Sequence, residues 1–164
     1  MESVVGDTCI FIDLIEIDLL NQFFELPFEF YTTDFVVNEL TTPRHFSGIK
    51  RFIDLRNLKI LKTAPDELYE IVQISERHPK LSISDCSVFY FGKTSSYTVL
   101  TNDKRLRELS KDIKVHGILW IFDCLVLKGI ISKNQAIDKL NVLMGINQRL
   151  PLNECLKRIK EWSR

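Results

Sequence analysis

The chain has 164 residues and 45% hydrophobic content, enough for one domain with a substantial core and too little for two. Its 22 basic and 22 acidic side chains cancel, which excludes the uniformly basic surface of a protein that coats nucleic acid. The longest apolar run, Gly117 to Ile131, is interrupted by Asp123 and Lys128 and falls short of the roughly 18 residues a membrane helix needs.

In chain order, short β-type runs alternate with helical segments. Val4-Val5 opens as a strand ended by Gly6 and Asp7, and Ile10 to Leu20 reads as one helix. Phe28 to Tyr31 is a second strand after Pro27. Thr33 or Asp34 caps the next helix, which carries Phe35, Val36 and Glu39 and is broken by Thr42-Pro43. Ser47 opens a helix to about Leu55, Leu58 to Leu61 is a strand, and Pro65, suited to a first helical position, starts a helix to about Arg77. After Pro79, Ser82 or Ser84 caps a helix bearing Val88, Phe89 and Phe91. Tyr97 to Thr101 is a strand of aromatic and β-branched residues. Lys104 to Ser110 is helical, Ile113 to Val115 is a short strand, and Ile118 to Trp162 is almost all helix. This alternation implies a doubly wound α/β fold: a parallel sheet, right-handed crossovers and helices on both faces. Ligands of such sheets bind at the carboxyl ends of the strands, where strand order reverses.

Four carboxylates stand where strands end or helices begin: Asp7, Glu39, Asp85 and Asp103. Each has a plainer reading. Asp7 and Asp103 suit helix caps, Asp85 suits the positive end of a helix dipole, and Glu39 suits a solvated helix face. Their joint layout favours convergence on a divalent cation, because four clustered carboxylates repel one another unless a cation neutralises them. Oxygen-only ligands select Mg2+ or Mn2+. His45, His78 and His116 show no HxH or HExxH spacing, and Cys9, Cys86, Cys124 and Cys155 form no CxxC pair, so zinc is disfavoured and reduced core thiols are expected. A hard-ion carboxylate site activates water and stabilises the leaving oxygen in phosphodiester hydrolysis, which points to a nuclease. Charge distribution fits: residues 1–40 carry nine acids and no Lys or Arg, leaving a surplus of nine positive charges in the remainder. An acidic segment beside a basic one suits metal and phosphodiester together.

Other phosphate chemistries fail on residues. The first strand ends in Gly6-Asp7-Thr8-Cys9 rather than a DxD pair, no Asp closes the third strand at Leu58 to Lys62, and there is no GxxxxGK loop. A binding module that keeps the acids but only docks RNA or serves as a scaffold is the alternative to an enzyme.

Four segments carry a family resemblance. Asp7-Thr8-Cys9-Ile10-Phe11-Ile12 resembles the opening motif of PIN-domain ribonucleases, Thr33 to Leu40 the second motif with its Glu-Leu pair, Leu81 to Cys86 the third, and Tyr97 to Leu106 the fourth. Order and spacing match over about residues 3 to 116. The resemblance implies a five-stranded doubly wound parallel sheet and an Mg2+- or Mn2+-dependent ribonuclease. In it Asp7, Glu39, Asp85 and Asp103 hold one or two ions and Thr101 supports the site. Several small members of this family are VapC-type toxins, so an antitoxin partner and a homodimer are expected. Two features depart from the pattern: Cys9 stands where many relatives carry Asn, and the helical tail from 117 to 164 exceeds what the resemblance requires.

Basic residues near the site are candidate RNA contacts: Lys104, Arg105 and Arg107 after the fourth motif, and Arg44, Lys50 and Arg51 after Glu39. Trp120, Phe122, Leu125 and Leu127 in the tail read as core first and interface second. The N-terminus shows no secretory signal, so a cytoplasmic protein is expected.

Overall fold

The computed structural model describes residues 1–164 and is built on five parallel strands: β1 (Glu2–Gly6), β2 (Phe28–Thr33), β3 (Leu58–Leu61), β4 (Thr98–Leu100) and β5 (Val115–His116). Their spatial order is β3-β2-β1-β4-β5. The chain therefore winds outward from β1 on one side, then crosses back to β4 and winds outward on the other. The reversal falls between β1 and β4, as in a doubly wound sheet. Register fixes the neighbours there: Val4 opposite Thr98, Val5 opposite Val99 and Gly6 opposite Leu100. Val4 and Val5 are buried because helices cover both faces of a central parallel strand.

The first helix ends earlier than its sequence suggests. In place of one helix from Ile10 to Leu20, α1 (Thr8–Glu16) stops, Asp18 takes a left-handed turn at φ 54°, and α2 (Leu20–Phe24) follows. Ile17, Leu19 and Leu20 are all buried, and a straight helix could not bring all three to one apolar face. Asp is among the few residues that tolerate this turn. Thr33 rather than Asp34 caps α3 (Asp34–Glu39), leaving Asp34 to accept hydrogen bonds from the Thr63 amide and hydroxyl. Pro43 opens α4 (Pro43–Asp54) at its first position, so Ser47 lies inside that helix and donates to the Pro43 carbonyl. In the third connection, α5 (Pro65–Arg77) leads to α6 (Ile83–Thr94), capped by Ser82. α7 (Lys104–Leu109) precedes β5, which begins later than expected because the Ile113 amide closes a turn onto the Ser110 carbonyl.

The tail forms three helices, α8 (Ile118–Leu127), α9 (Lys133–Ile146) and α10 (Leu152–Trp162). They share one apolar cluster with the sheet: Ile121, Phe122, Leu125, Leu140, Leu143 and Trp162 join Val4 and Val99. Leu127, by contrast, is exposed. Trp120 stacks on His116 at 4.1 Å and on Phe28 at 5.5 Å, which ties α8 to the ends of two strands. All four cysteines are free thiols, Cys86 and Cys155 buried. No helix is long and apolar enough to cross a membrane.

Packing of α6 on β4 depends on Gly92, since a β-carbon there would overlap the Val99 side chain. Gly92→Ala should therefore destabilise the protein. Its helix-propensity gain of about 1 kcal/mol opposes an overpacking cost of about 1–3 kcal/mol in a buried interface. Urea unfolding measures the balance, and a more stable variant would show that α6 and β4 are less closely packed than described.

Candidate functional site

Asp7 lies at the carboxyl end of β1, and its amide donates to the Leu100 carbonyl at 2.9 Å, extending the β1–β4 pairing past the strand itself. Its side chain caps α1: Oδ1 accepts from the Thr8 amide at 2.8 Å. Oδ2 accepts from the Thr101 hydroxyl at 2.8 Å and from the Cys9 thiol at 3.5 Å. Only 3% of Asp7 is exposed. Burial, and then the charge of Asp85, push its carboxyl up to about 7, against the pull of the Thr101, Thr8 and Cys9 hydrogen bonds.

Thr101 follows β4 directly and is wholly buried. While its hydroxyl donates to Asp7, it accepts the Asp103 amide at 3.0 Å, so one side chain couples two of the acids. Asp103 caps α7, its Oδ1 accepting from the amides of Arg105 at 2.8 Å and Leu106 at 3.2 Å. Its Oδ2 accepts nothing.

Asp85 completes a capping box at the start of α6, Oδ2 accepting from the Ser82 amide at 3.0 Å while the Ser82 hydroxyl accepts the Asp85 amide. Oδ1 is unengaged. Burial raises its pKa, the Ser82 contacts oppose this, and the charges of Asp103 and Glu39 raise it further. Glu39, exposed at the end of α3, accepts at Oε2 from the Thr8 hydroxyl at 2.6 Å and from the Ser84 hydroxyl, leaving Oε1 free. Ser84 is held by the chain behind it, for Ser87 donates to the Ser84 carbonyl and pairs with Thr33.

The four predicted carboxylates thus act on one another's charge across the carboxyl edge of the sheet, and each spends an oxygen on local structure. Asp85, Asp103 and Glu39 each keep one oxygen free. As the side chains stand, no three His, Cys, Asp or Glu are close enough to coordinate one ion together. The donor set nevertheless suits a hard divalent cation: it is all oxygen, mutually repelling, and contains a buried carboxyl that holds its proton to about 7 when no cation is near.

The basic candidates divide. Lys104 and Arg105 open α7 beside Asp103 and are exposed, Arg105 reaching the Lys80 carbonyl. Arg107 turns back to the Thr101 carbonyl at 3.4 Å. Arg44 lies at the far end of α1, paired with Glu16 at 3.2 Å, roughly 13 Å of helix away from Asp7. Lys50 pairs with Asp54, and Arg51 lies over Phe52. The sequence assigned no place in the site to Thr8 or Ser84, whose hydroxyls hold Glu39, Ser84 having stood only as a candidate helix cap, or to Asp13, which is buried. A hydroxyl beside a motif acid was the available signal for the first two; none marked Asp13.

The family model described as DUF3368, PIN domain, matches residues 3–164. The chain belongs to the PIN-domain family. The matched span includes the helical tail, residues 117–164. Among solved structures, PAE2754 from Pyrobaculum aerophilum superposes with a TM-score of 0.51 at 16% identity, over 76% of this chain and 95% of that one. VapBC2 from Rickettsia felis, bound to a DNA fragment from their promoter, gives 0.50 at 13% identity, over 70% of this chain and 98% of that one. At these identities the likeness is one of fold. No curated protein sequence matches this PIN domain.

A raised Asp7 makes metal-free stability fall with pH. Between its ordinary value of 3.8 and about 7 the folded protein keeps a proton that the unfolded chain releases, so this contribution is lost as pH rises through that window. In EDTA, Tm should decline from about pH 4 to about pH 7, by an amount reflecting a few kcal/mol at most. Asp7→Asn should flatten the decline, and parallel profiles for the two proteins would contradict the buried, cation-free carboxyl.

Proposed function

We propose that this PIN domain is a divalent-metal-dependent endoribonuclease acting on single-stranded RNA. Supporting this most directly is the buried Asp7 carboxyl at the sheet's switch point, destabilised by Asp85 and hydrogen-bonded through Thr101 to the turn that bears Asp103. In this reading Asp7, Asp85, Asp103 and Glu39 hold Mg2+ or Mn2+: the last three offer an oxygen that local structure leaves free, and Asp7 one that also accepts from its neighbours. The ion, when bound, neutralises these acids, activates water and stabilises charge on the phosphodiester. Thr101 keeps Asp7 oriented while its own oxygen fixes the Asp103 amide. Thr8 and Ser84 hold Glu39 in place. Lys104 and Arg105, exposed beside Asp103, contact phosphates of the bound strand, which gives affinity without sequence choice. Arg107 serves as a brace for the Thr101 carbonyl rather than as a free contact, and Arg44, on α4 and paired with Glu16 at the far end of α1, lies too far away to touch the reacting phosphate.

PIN membership, together with a structural neighbour that is a VapBC complex, supports the toxin of a toxin-antitoxin pair, acting in the cytoplasm as a homodimer. Exposed Val142 and Ile146 on α9, and Leu152 and Leu156 on α10, provide apolar surface for a second subunit. A non-catalytic RNA-binding or scaffold module is the second reading, favoured by one observation: Asp7, Asp85 and Asp103 all serve as helix caps or in a capping box, roles that need no metal.

Cleavage of a labelled single-stranded RNA separates the two. Wild type should cut with Mn2+ or Mg2+ and not in EDTA. Asp7→Asn should lose about two orders of magnitude or more, in line with the several kcal/mol that a catalytic metal supplies. RNA binding that needs no metal and survives Asp7→Asn, without cleavage, would establish the module instead.

A further inference from the structure

Asp13 lies on α1 less than two turns beyond Asp7 and is only 6% exposed, yet it pairs with no cation. Burial raises its pKa, opposed by hydrogen bonds from the amides of Asn147 and Asn102, while the Glu16 charge adds to the rise. Both amides donate to the same oxygen: Asn102 Nδ2 reaches Oδ2 at 3.1 Å and Asn147 Nδ2 reaches it at 2.9 Å. A carboxylate buried without a counter-charge is a costly choice for a position that an apolar side chain could fill.

The two partners explain its placing. Asn102 is the residue between Thr101 and Asp103, so its orientation sets theirs. Besides Asp13, it is held by the Ile118 amide, which donates to its Oδ1 at 2.8 Å, and its own amide donates to Cys9 Sγ at 3.4 Å. Gly117 leaves the space for this approach: a β-carbon there would lie 2.8 Å from Asn102 Oδ1 and 3.4 Å from the Thr101 carbonyl oxygen. Asn147 closes α9 and accepts the Arg149 amide, so it presents its amide to Asp13 from a fixed helix end. The tail therefore touches the fourth-motif turn twice, at the start of α8 directly and at the end of α9 through Asp13.

We propose that Asp13 and Asn147 are positioning residues of the metal centre, fixing the Thr101–Asp103 turn from the tail through one shared carboxylate oxygen. The inference rests on the metal reading given above. Residues that orient metal ligands from behind are typically worth about 10- to 100-fold in metal affinity. Asp13→Ala strips the acceptor from two buried amides, Asn147→Ala removes the tail's half of the clamp, and Asp13→Asn keeps an acceptor oxygen where Oδ2 stands.

The experiment is Mn2+ titration by calorimetry of wild type, Asp13→Ala, Asp13→Asn, Asn147→Ala and the Asp13→Ala/Asn147→Ala double variant. Each is titrated well below its own unfolding midpoint, which is measured separately in EDTA. Asp13→Ala and Asn147→Ala should weaken Mn2+ binding by about tenfold or more, and Asp13→Asn should stay near wild type. The double variant should be no weaker than Asp13→Ala alone, because both changes act through one contact. Lower midpoints with unchanged Mn2+ affinity would overturn the proposal and reduce the clamp to a structural role, while leaving the metal reading intact. Wild type that binds no Mn2+ would overturn the metal reading and the proposal with it. If Asp13→Ala does not fold, Asn147→Ala, altered at a half-exposed helix end, decides the matter by the same readout.

Discussion

Parallel pairing of β1 with β4 continues beyond the last strand residues, through the Asp7 amide to the Leu100 carbonyl, and closes in the hydrogen bond from Thr101 to Asp7. The rest of the carboxyl edge is built around that junction. Because β1 and β4 are neighbours in space but far apart in sequence, strand order reverses between them, and their carboxyl ends form the switch point at which doubly wound sheets bind ligands. Asp7 and Asp103 emerge on its two sides, and α6 and α3 bring Asp85 and Glu39 to it. Thr101, buried between two acids, turns strand pairing into side-chain placement.

Three of the four carboxylates divide their oxygens between two tasks. Asp7, Asp85 and Asp103 each satisfy backbone amides at a helix start, which fixes their rotamers at the cost of leaving less freedom to meet a ligand. Capping and metal binding are compatible at Asp85 and Asp103, since a rigid carboxylate with a free oxygen is better prepared to coordinate than a mobile one. The mutual repulsion left over is the site's stored electrostatic disadvantage, which a divalent cation would relieve.

Much of this was legible in the sequence, and the failures have physical causes. Short β-branched and aromatic runs such as Tyr97–Thr101 announced strands, and an acid directly after a strand announced a switch-point residue, so Asp7 and Asp103 stood out. Asp85 and Glu39 were marked only by their places at a helix start and among apolar residues, and a capping acid or a helix-face acid looks the same whether or not it meets others. The break at Asp18 was hidden because Ile17, Leu19 and Leu20 continue an apolar run, and only tertiary burial on different sides forces the turn. Nothing local singles out Asp13 among the nine acids of residues 1–40. Its partners lie 89 and 134 residues away, a separation no local pattern can report. The tail read as helix correctly, but its three-part division and its return to the fourth motif follow from packing on the sheet.

Crystals of the wild-type protein grown or soaked with Mn2+, with data collected at the manganese absorption edge, test the metal centre most directly. The expected result is an anomalous peak at the β1–β4 switch point, in contact with Asp7, Asp85 or Asp103 and absent from Asp7→Asn crystals under the same conditions. A switch point without a peak at millimolar Mn2+, with the acids in the same capping roles, would contradict it.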